Sequence, residues 1–156
     1  MIANYLKKDY LTFTEQKIDW KEAIEIVAKP LLLNKIILPT YVEAMIKTVL
    51  TMGDYIIIVP KVAMPHARPE DGALRIGVSI LKSTKPICFE EVSDKEVFLV
   101  ICLATNDNQK HLELLQQVSL LIDEEEKVNQ LIETKTEEEF IVLAKKIIEE
   151  SKEELR

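Results

Sequence analysis

Val97-Phe98-Leu99-Val100-Ile101-Cys102-Leu103-Ala104 is an unbroken run of eight apolar residues. It falls well short of the roughly 18–20 residues that cross a bilayer. A run of this length suits a strand buried on both faces. Such a strand needs cover above and below, and the sequence around it supplies that cover. Tyr55 to Val59 and Ile76 to Leu81 are two further β-branched, apolar stretches. Helical periodicity lies on either side of this central block, and strands in the middle with helices at both ends predict one α/β sandwich.

Upstream, residues 1–10 read as a short helical or irregular lead-in, and Leu11 to Glu15 alternates like an edge strand. Asp19 is an N-cap with Glu22 three residues on, a variant of the capping box. Trp20, Ala23, Ile24, Val27 and Leu31 follow at helical spacing, with Pro30 set to kink or end the helix. Pro39–Thr40 opens a second helix, with Val42, Met45, Ile46 and Val49 on one face and Gly53 as its C-cap. Downstream, Leu112, Leu115, Val118 and Leu121–Ile122 form one stripe. A short helix begins near Asp123. A charged helix opened by Thr136 carries Phe140, Leu143, Ala144 and Ile147.

Composition excludes several function classes. The chain has 156 residues, enough for one domain with a real core, and 47% are hydrophobic. Its net charge is −7, which speaks against nucleic acid as the main partner. Residues 123–156 hold 12 acidic and 6 basic residues, so the excess sits almost wholly there and reads as solvated helix surface. Lys7, Lys8 and Asp9 stand where a signal peptide would need an apolar core. Cys88 and Cys102 lie in apolar stretches without CxxC spacing and read as buried free thiols.

The chemistry-bearing residues are few. A zinc site needs three or four ligands, and two histidines 45 residues apart with two apolar cysteines offer no ligand spacing. Nucleophile elbow, Walker A and dinucleotide fingerprints are absent. His66 stands in Val62-Ala63-Met64-Pro65-His66-Ala67-Arg68-Pro69-Glu70-Asp71-Gly72, bracketed by two prolines that stiffen the loop. A histidine with an arginine two positions away suits phosphoryl transfer. The imidazole nitrogen attacks, and the guanidinium fork neutralises phosphoryl oxygens. Arg68 has a second reading, as a surface arginine paired with Glu70 or Asp71. His111 follows Thr105-Asn106-Asp107-Asn108, a cluster of N-cap formers, and falls near the first turn of a helix. There it is either beside an anion site or without a role.

Val62-Ala63-Met64-Pro65-His66-Ala67 resembles the active-site signature of enzyme IIA domains of the bacterial phosphoenolpyruvate-dependent sugar phosphotransferase system, mannitol/fructose class. Arg68-Pro69-Glu70-Asp71-Gly72 is similar to the ascorbate-type branch. Trp20 to Ile24, Leu38 to Met45, and His111-Leu112-Glu113-Leu114-Leu115 extend the resemblance over most of residues 11–150. It implies a single enzyme IIA domain over 1–156, with a central mixed β-sheet flanked by helices on both sides. It implies that His66 takes a phosphoryl group from HPr and passes it to a cysteine of a cognate enzyme IIB. His111 would help hold the phosphate, and no metal or cofactor would be needed. The protein would be cytoplasmic and would reach the membrane only through its IIB and IIC partners, serving uptake of ascorbate or a related sugar or polyol. Thr48 to Tyr55 lacks the upstream arginine of many mannitol-class members, and Lys47 and Lys61 are the nearest basic residues there. Arg68 is therefore the candidate cation. Two other readings stand beside this one. One is a regulatory enzyme IIA-like protein whose His66 phosphorylation controls a protein partner. The other is an α/β binding protein in which His66 is incidental.

Overall fold

The computed structural model describes residues 2–89 and 95–154. Two short 3-10 turns lead into β1 (Leu11–Thr14), α1 (Trp20–Leu33) and α2 (Pro39–Met52). Then come β2 (Ile57–Val59), β3 (Lys61–Ala63), β4 (Gly77–Ile87) and β5 (Val97–Ala104). Three helices close the chain: α3 (Asn108–Ile122), α4 (Glu125–Glu133) and α5 (Glu137–Glu154). Among the described residues the strands form one sheet in the order β1-β4-β5-β3-β2. It is mixed: β1 with β4 and β3 with β5 are parallel, while β4 with β5 and β2 with β3 are antiparallel.

The apolar run Val97–Ala104 is β5, the central strand of the five, and it is buried almost throughout. Val100 and Cys102 pack with α1 and α2 through Ile24, Val27, Met45 and Val49. Leu99, Ile101 and Leu103 pack the other way, with α3, α4 and α5 through Leu114, Val118, Leu131 and Phe140. Side chains alternate across a strand, so a doubly covered strand must be apolar at every position. The α/β sandwich with helices on both faces is therefore what the sequence predicted.

The local signals hold with four corrections. Asp19 caps α1 by accepting from the Glu22 N–H at 2.9 Å, and Thr136 accepts from Glu139 at 3.1 Å at the start of α5. Pro30 does not end α1, which runs on to Leu33. The Val27 carbonyl near it accepts the buried Ser79 hydroxyl at 2.6 Å, tying α1 to β4. The stretch from Tyr55 is not strand throughout: Gly53, with φ +65, starts a 3-10 turn over Gly53–Ile56. Only Ile57–Val59 pairs, as an exposed edge rather than a buried strand. In α3 the buried stripe is Leu114, Val118, Leu121 and Ile122, whereas Leu112 and Leu115 face outward. Cys102 is a buried free thiol, but Cys88 is only half-buried.

Candidate functional site

β3 and β5 run parallel with Ala63 opposite Val100, so their carboxyl ends lie side by side. That end of an open α/β sheet is where loops gather reactive groups. The segment leaving β3 carries His66. The segment leaving β5 turns at Thr105-Asn106-Asp107 and enters α3. Asp107 caps that helix by accepting from the Gln109 N–H at 2.8 Å. His111 lies one turn further on and donates its backbone N–H to the Asp107 carbonyl at 3.0 Å.

His66 is exposed, and its Nδ1 lies 3.0 Å from the Met64 carbonyl oxygen. A carbonyl only accepts, so Nδ1 must carry the proton and donate. The lone pair of the neutral ring is then on Nε2, which is the nitrogen left to react. Met64 is itself held: its N–H donates to the Ile56 carbonyl at 2.8 Å. Pro65 between them is buried. The ring is thus oriented by backbone that the sheet and a proline have fixed.

His111 is half-buried and lies within electrostatic reach of His66. Burial holds its imidazole below the usual histidine value of 6.5, and positive charge on His66 pushes the same way. Near neutral pH it is a neutral ring with one N–H to donate. It also begins the buried stripe of α3, three residues before Leu114, so it stands on the inward side of that helix.

Arg68 is exposed and has extended backbone, with φ −84° and ψ 152°. Asp71 does not pair with its guanidinium. The Asp71 carboxylate accepts from the Arg68 backbone N–H at 2.9 Å instead. No ion pair engages Arg68 among the described residues. Of the other basic candidates, Lys61 is committed elsewhere, since its Nζ donates to Asn129 Oδ1 on α4 at 2.7 Å. Lys47 is exposed on α2.

The start of α2 clamps the whole loop, a feature the sequence reading missed. The buried Tyr41 hydroxyl donates to the Leu103 carbonyl at 2.7 Å, with the Ala67 backbone N–H close by. Burial pushes its ionisation above the ordinary tyrosine range, so it remains a phenol. Thr40 Oγ1 donates to the Asp71 carbonyl at 2.7 Å, and the Leu38 N–H donates to the Gly72 carbonyl at 2.9 Å. Gly72 has φ +130, and a Cβ there would meet Thr40 Oγ1 at 2.7 Å. Glycine is required on both counts. Cys102 offers no rival nucleophile: burial pushes its thiol up to about 12.

Comparison with known proteins identifies the family and matches the fold. The family model described as phosphoenolpyruvate-dependent sugar phosphotransferase system, EIIA 2, matches residues 4–147. The ascorbate-specific PTS system EIIA component of Escherichia coli (strain K12) is 33% identical over 125 residues, covering 80% of this chain and 81% of that protein. The solution structure of the mannitol-specific cryptic phosphotransferase enzyme IIA CmtB from Escherichia coli superposes with a TM-score of 0.85 at 31% identity. That match covers 93% of this chain and 98% of the other. The fold also matches the Escherichia coli enzyme IIA of mannitol in its complex with phosphorylated enzyme IIB, with a TM-score of 0.75 at 24% identity over 89% of this chain and 96% of that one.

Proposed function

This chain belongs to the phosphoenolpyruvate-dependent sugar phosphotransferase system EIIA 2 family, whose members are phosphotransferases, and we propose that His66 is the residue that carries its phosphoryl group. The observation that supports this most directly is the bond from His66 Nδ1 to the Met64 carbonyl, which leaves the Nε2 lone pair free on an exposed ring. In the first half-reaction Nε2 attacks the phosphorus of phospho-HPr. An N–P bond forms on His66 as the donor's N–P bond breaks, and the donor histidine keeps that electron pair. The ring gains positive charge, and the Met64 carbonyl stabilises it at Nδ1–H. In the second half-reaction a cysteine thiolate of enzyme IIB attacks the same phosphorus, and Nε2 recovers its lone pair.

Catalysis here is positioning and charge stabilisation. His111 donates a hydrogen bond to a phosphoryl oxygen, and the arriving negative charge favours its protonation. Arg68, with its guanidinium outside any ion pair among the described residues, supplies the fixed cation. Tyr41 acts only through the backbone it holds. The chain works as one cytoplasmic EIIA unit between HPr and a IIB/IIC pair. Among the described residues no helix is long and apolar enough to cross a membrane. The ascorbate-specific relative, together with Arg68-Pro69-Glu70-Asp71-Gly72, supports ascorbate or a related polyol as the transported compound.

Incubation with phosphoenolpyruvate, enzyme I and HPr is expected to add one acid-labile phosphate to the chain. His66→Ala should take up none. Equal labelling of the variant would overturn the assignment.

A further inference from the structure

A cavity of about 350 Å³ opens at the same end of the sheet as His66, two strands away. Its origin lies in the register. β1 begins with Leu11 opposite Ile80, so the first residues of β4 run past the start of their neighbour. The chain before β1 leaves the sheet plane as 3-10 turns over Ile2–Tyr5 and Lys8–Tyr10. The gap is floored by Gly77 and walled by Tyr5, Lys7, Tyr10, Asn34 and Arg75.

The lining has a definite chemical character. It carries two cations, and no carboxylate lines it among the described residues. Arg75 has one guanidinium nitrogen bonded to the Asn34 carbonyl, which sets its position and leaves other N–H groups to donate. Two phenols and an amide add donors and acceptors at the wall. Two positive charges match a dianionic phosphate. Phenol and amide groups match hydroxyls, and aromatic faces pack against the C–H face of a polyol or sugar. The volume falls in the lower part of the roughly 300–1,000 Å³ range of small-molecule sites.

We infer that this cavity binds a small hydroxylated phosphate ester, held through its phosphate by Lys7 and Arg75. The site is separate from His66 but mechanically joined to its surroundings. Asn106, on the segment that leads into α3, donates its side-chain amide to the Leu74 carbonyl at 3.0 Å, one residue before Arg75.

The test is titration of the full chain with ribose 5-phosphate, followed by amide NMR shifts, with ribose and inorganic phosphate as separate arms. Saturable shifts at Tyr5, Lys7, Tyr10 and Ile76–Val78 are expected, with a Kd below about 1 mM. Ribose or phosphate alone should bind at least about tenfold more weakly, because each satisfies only half of the lining. Arg75→Gln and Lys7→Gln should each weaken binding by about tenfold, the loss expected for one charge-assisted contact. Lys7 makes no ion pair among the described residues, so its variant keeps the fold intact. Absence of saturation up to about 10 mM, a range covering even weak small-ligand binding, overturns the inference. So do equal affinity for inorganic phosphate, unchanged affinity in both variants, or shifts centred on His66 and His111.

Discussion

Tyr41 on α2 is bonded to Leu103 on β5 across 62 positions of sequence, hydroxyl to carbonyl at 2.7 Å. With the Ala67 backbone close to the same hydroxyl, Tyr41 lies between the His66 loop and the strand leading toward His111. Tyr41→Phe keeps the ring and removes the bond to Leu103. It should lower stability by about 1–3 kcal/mol, the cost of leaving buried groups unpaired. It should also slow phosphoryl transfer by roughly tenfold at saturating partner, with little change in KM, since a small misplacement suffices for such losses. Nitrogen NMR should show His66 losing its single Nδ1–H tautomer. A folded Tyr41→Phe protein with unaltered kcat and tautomer would show that the hydroxyl serves packing alone.

His111→Ala should still be phosphorylated on His66, but more slowly, by about 10- to 100-fold if its hydrogen bond forms mainly in the transition state. Rapid-quench transfer from phospho-HPr measures this directly. Complete loss of labelling in a folded variant would mean that the roles of the two histidines are reversed.

Arg68→Gln should reduce the rate of transfer by about tenfold or more, and Arg68→Lys should restore part of it, because a lysine keeps the charge but loses the fork. Stability should hardly move, since the guanidinium makes no ion pair among the described residues. Equal rates for wild type and Arg68→Gln would return this residue to ordinary surface.

His111 also sets a pH dependence of stability. Its folded-state ionisation lies below the usual 6.5, with burial the larger cause. Between those two values the unfolded chain binds more protons than the folded one. Its contribution is therefore fully present above about pH 6.5 and is lost as the pH falls through the folded value. Urea midpoints from about pH 7.5 down to about pH 5 should fall more steeply for wild type than for His111→Gln. Parallel slopes would place His111 in ordinary solvent.

Lys35 follows α1 with φ +55. The Ile36 N–H reaches the Leu31 carbonyl at 2.9 Å and the Lys35 N–H reaches Leu32 at 3.1 Å, the Schellman pattern that favours glycine at this position. Lys35→Gly should stabilise the protein by roughly 0.5–1 kcal/mol after the added freedom of the unfolded chain is counted. Thermal denaturation would show it as a higher Tm; a lower Tm would mean that Lys35 makes a contact worth more than its strain.

The legible parts of the fold were those with period and punctuation. β5 announced itself through eight apolar residues, and α1 through Asp19. β3 gave no such signal, because three residues between Pro60 and Pro65 are too few to display alternation. β2 was overextended because Tyr55 and Ile56 have strand-forming side chains, while Gly53 turns the backbone into a 3-10 segment. In α3, stripes beginning at His111 and at Leu112 are both apolar at helical spacing, and only packing against the sheet selects the first. At the candidate site, the stiff, exposed presentation of His66 was legible from its two prolines. Tyr41 was not, since a tyrosine in a helix's first turn looks like any core aromatic until the loop it holds is seen.

The partner of His66 Nδ1 is a main-chain oxygen, and that changes what mutation can reach. A carboxylate in the same place could be lost by one codon change. The Met64 carbonyl survives every replacement of the Met64 side chain. The ring's protonation pattern is thus inherited through the path of the chain, and only changes that bend that path, at Pro65, Tyr41 or Gly72, can alter it.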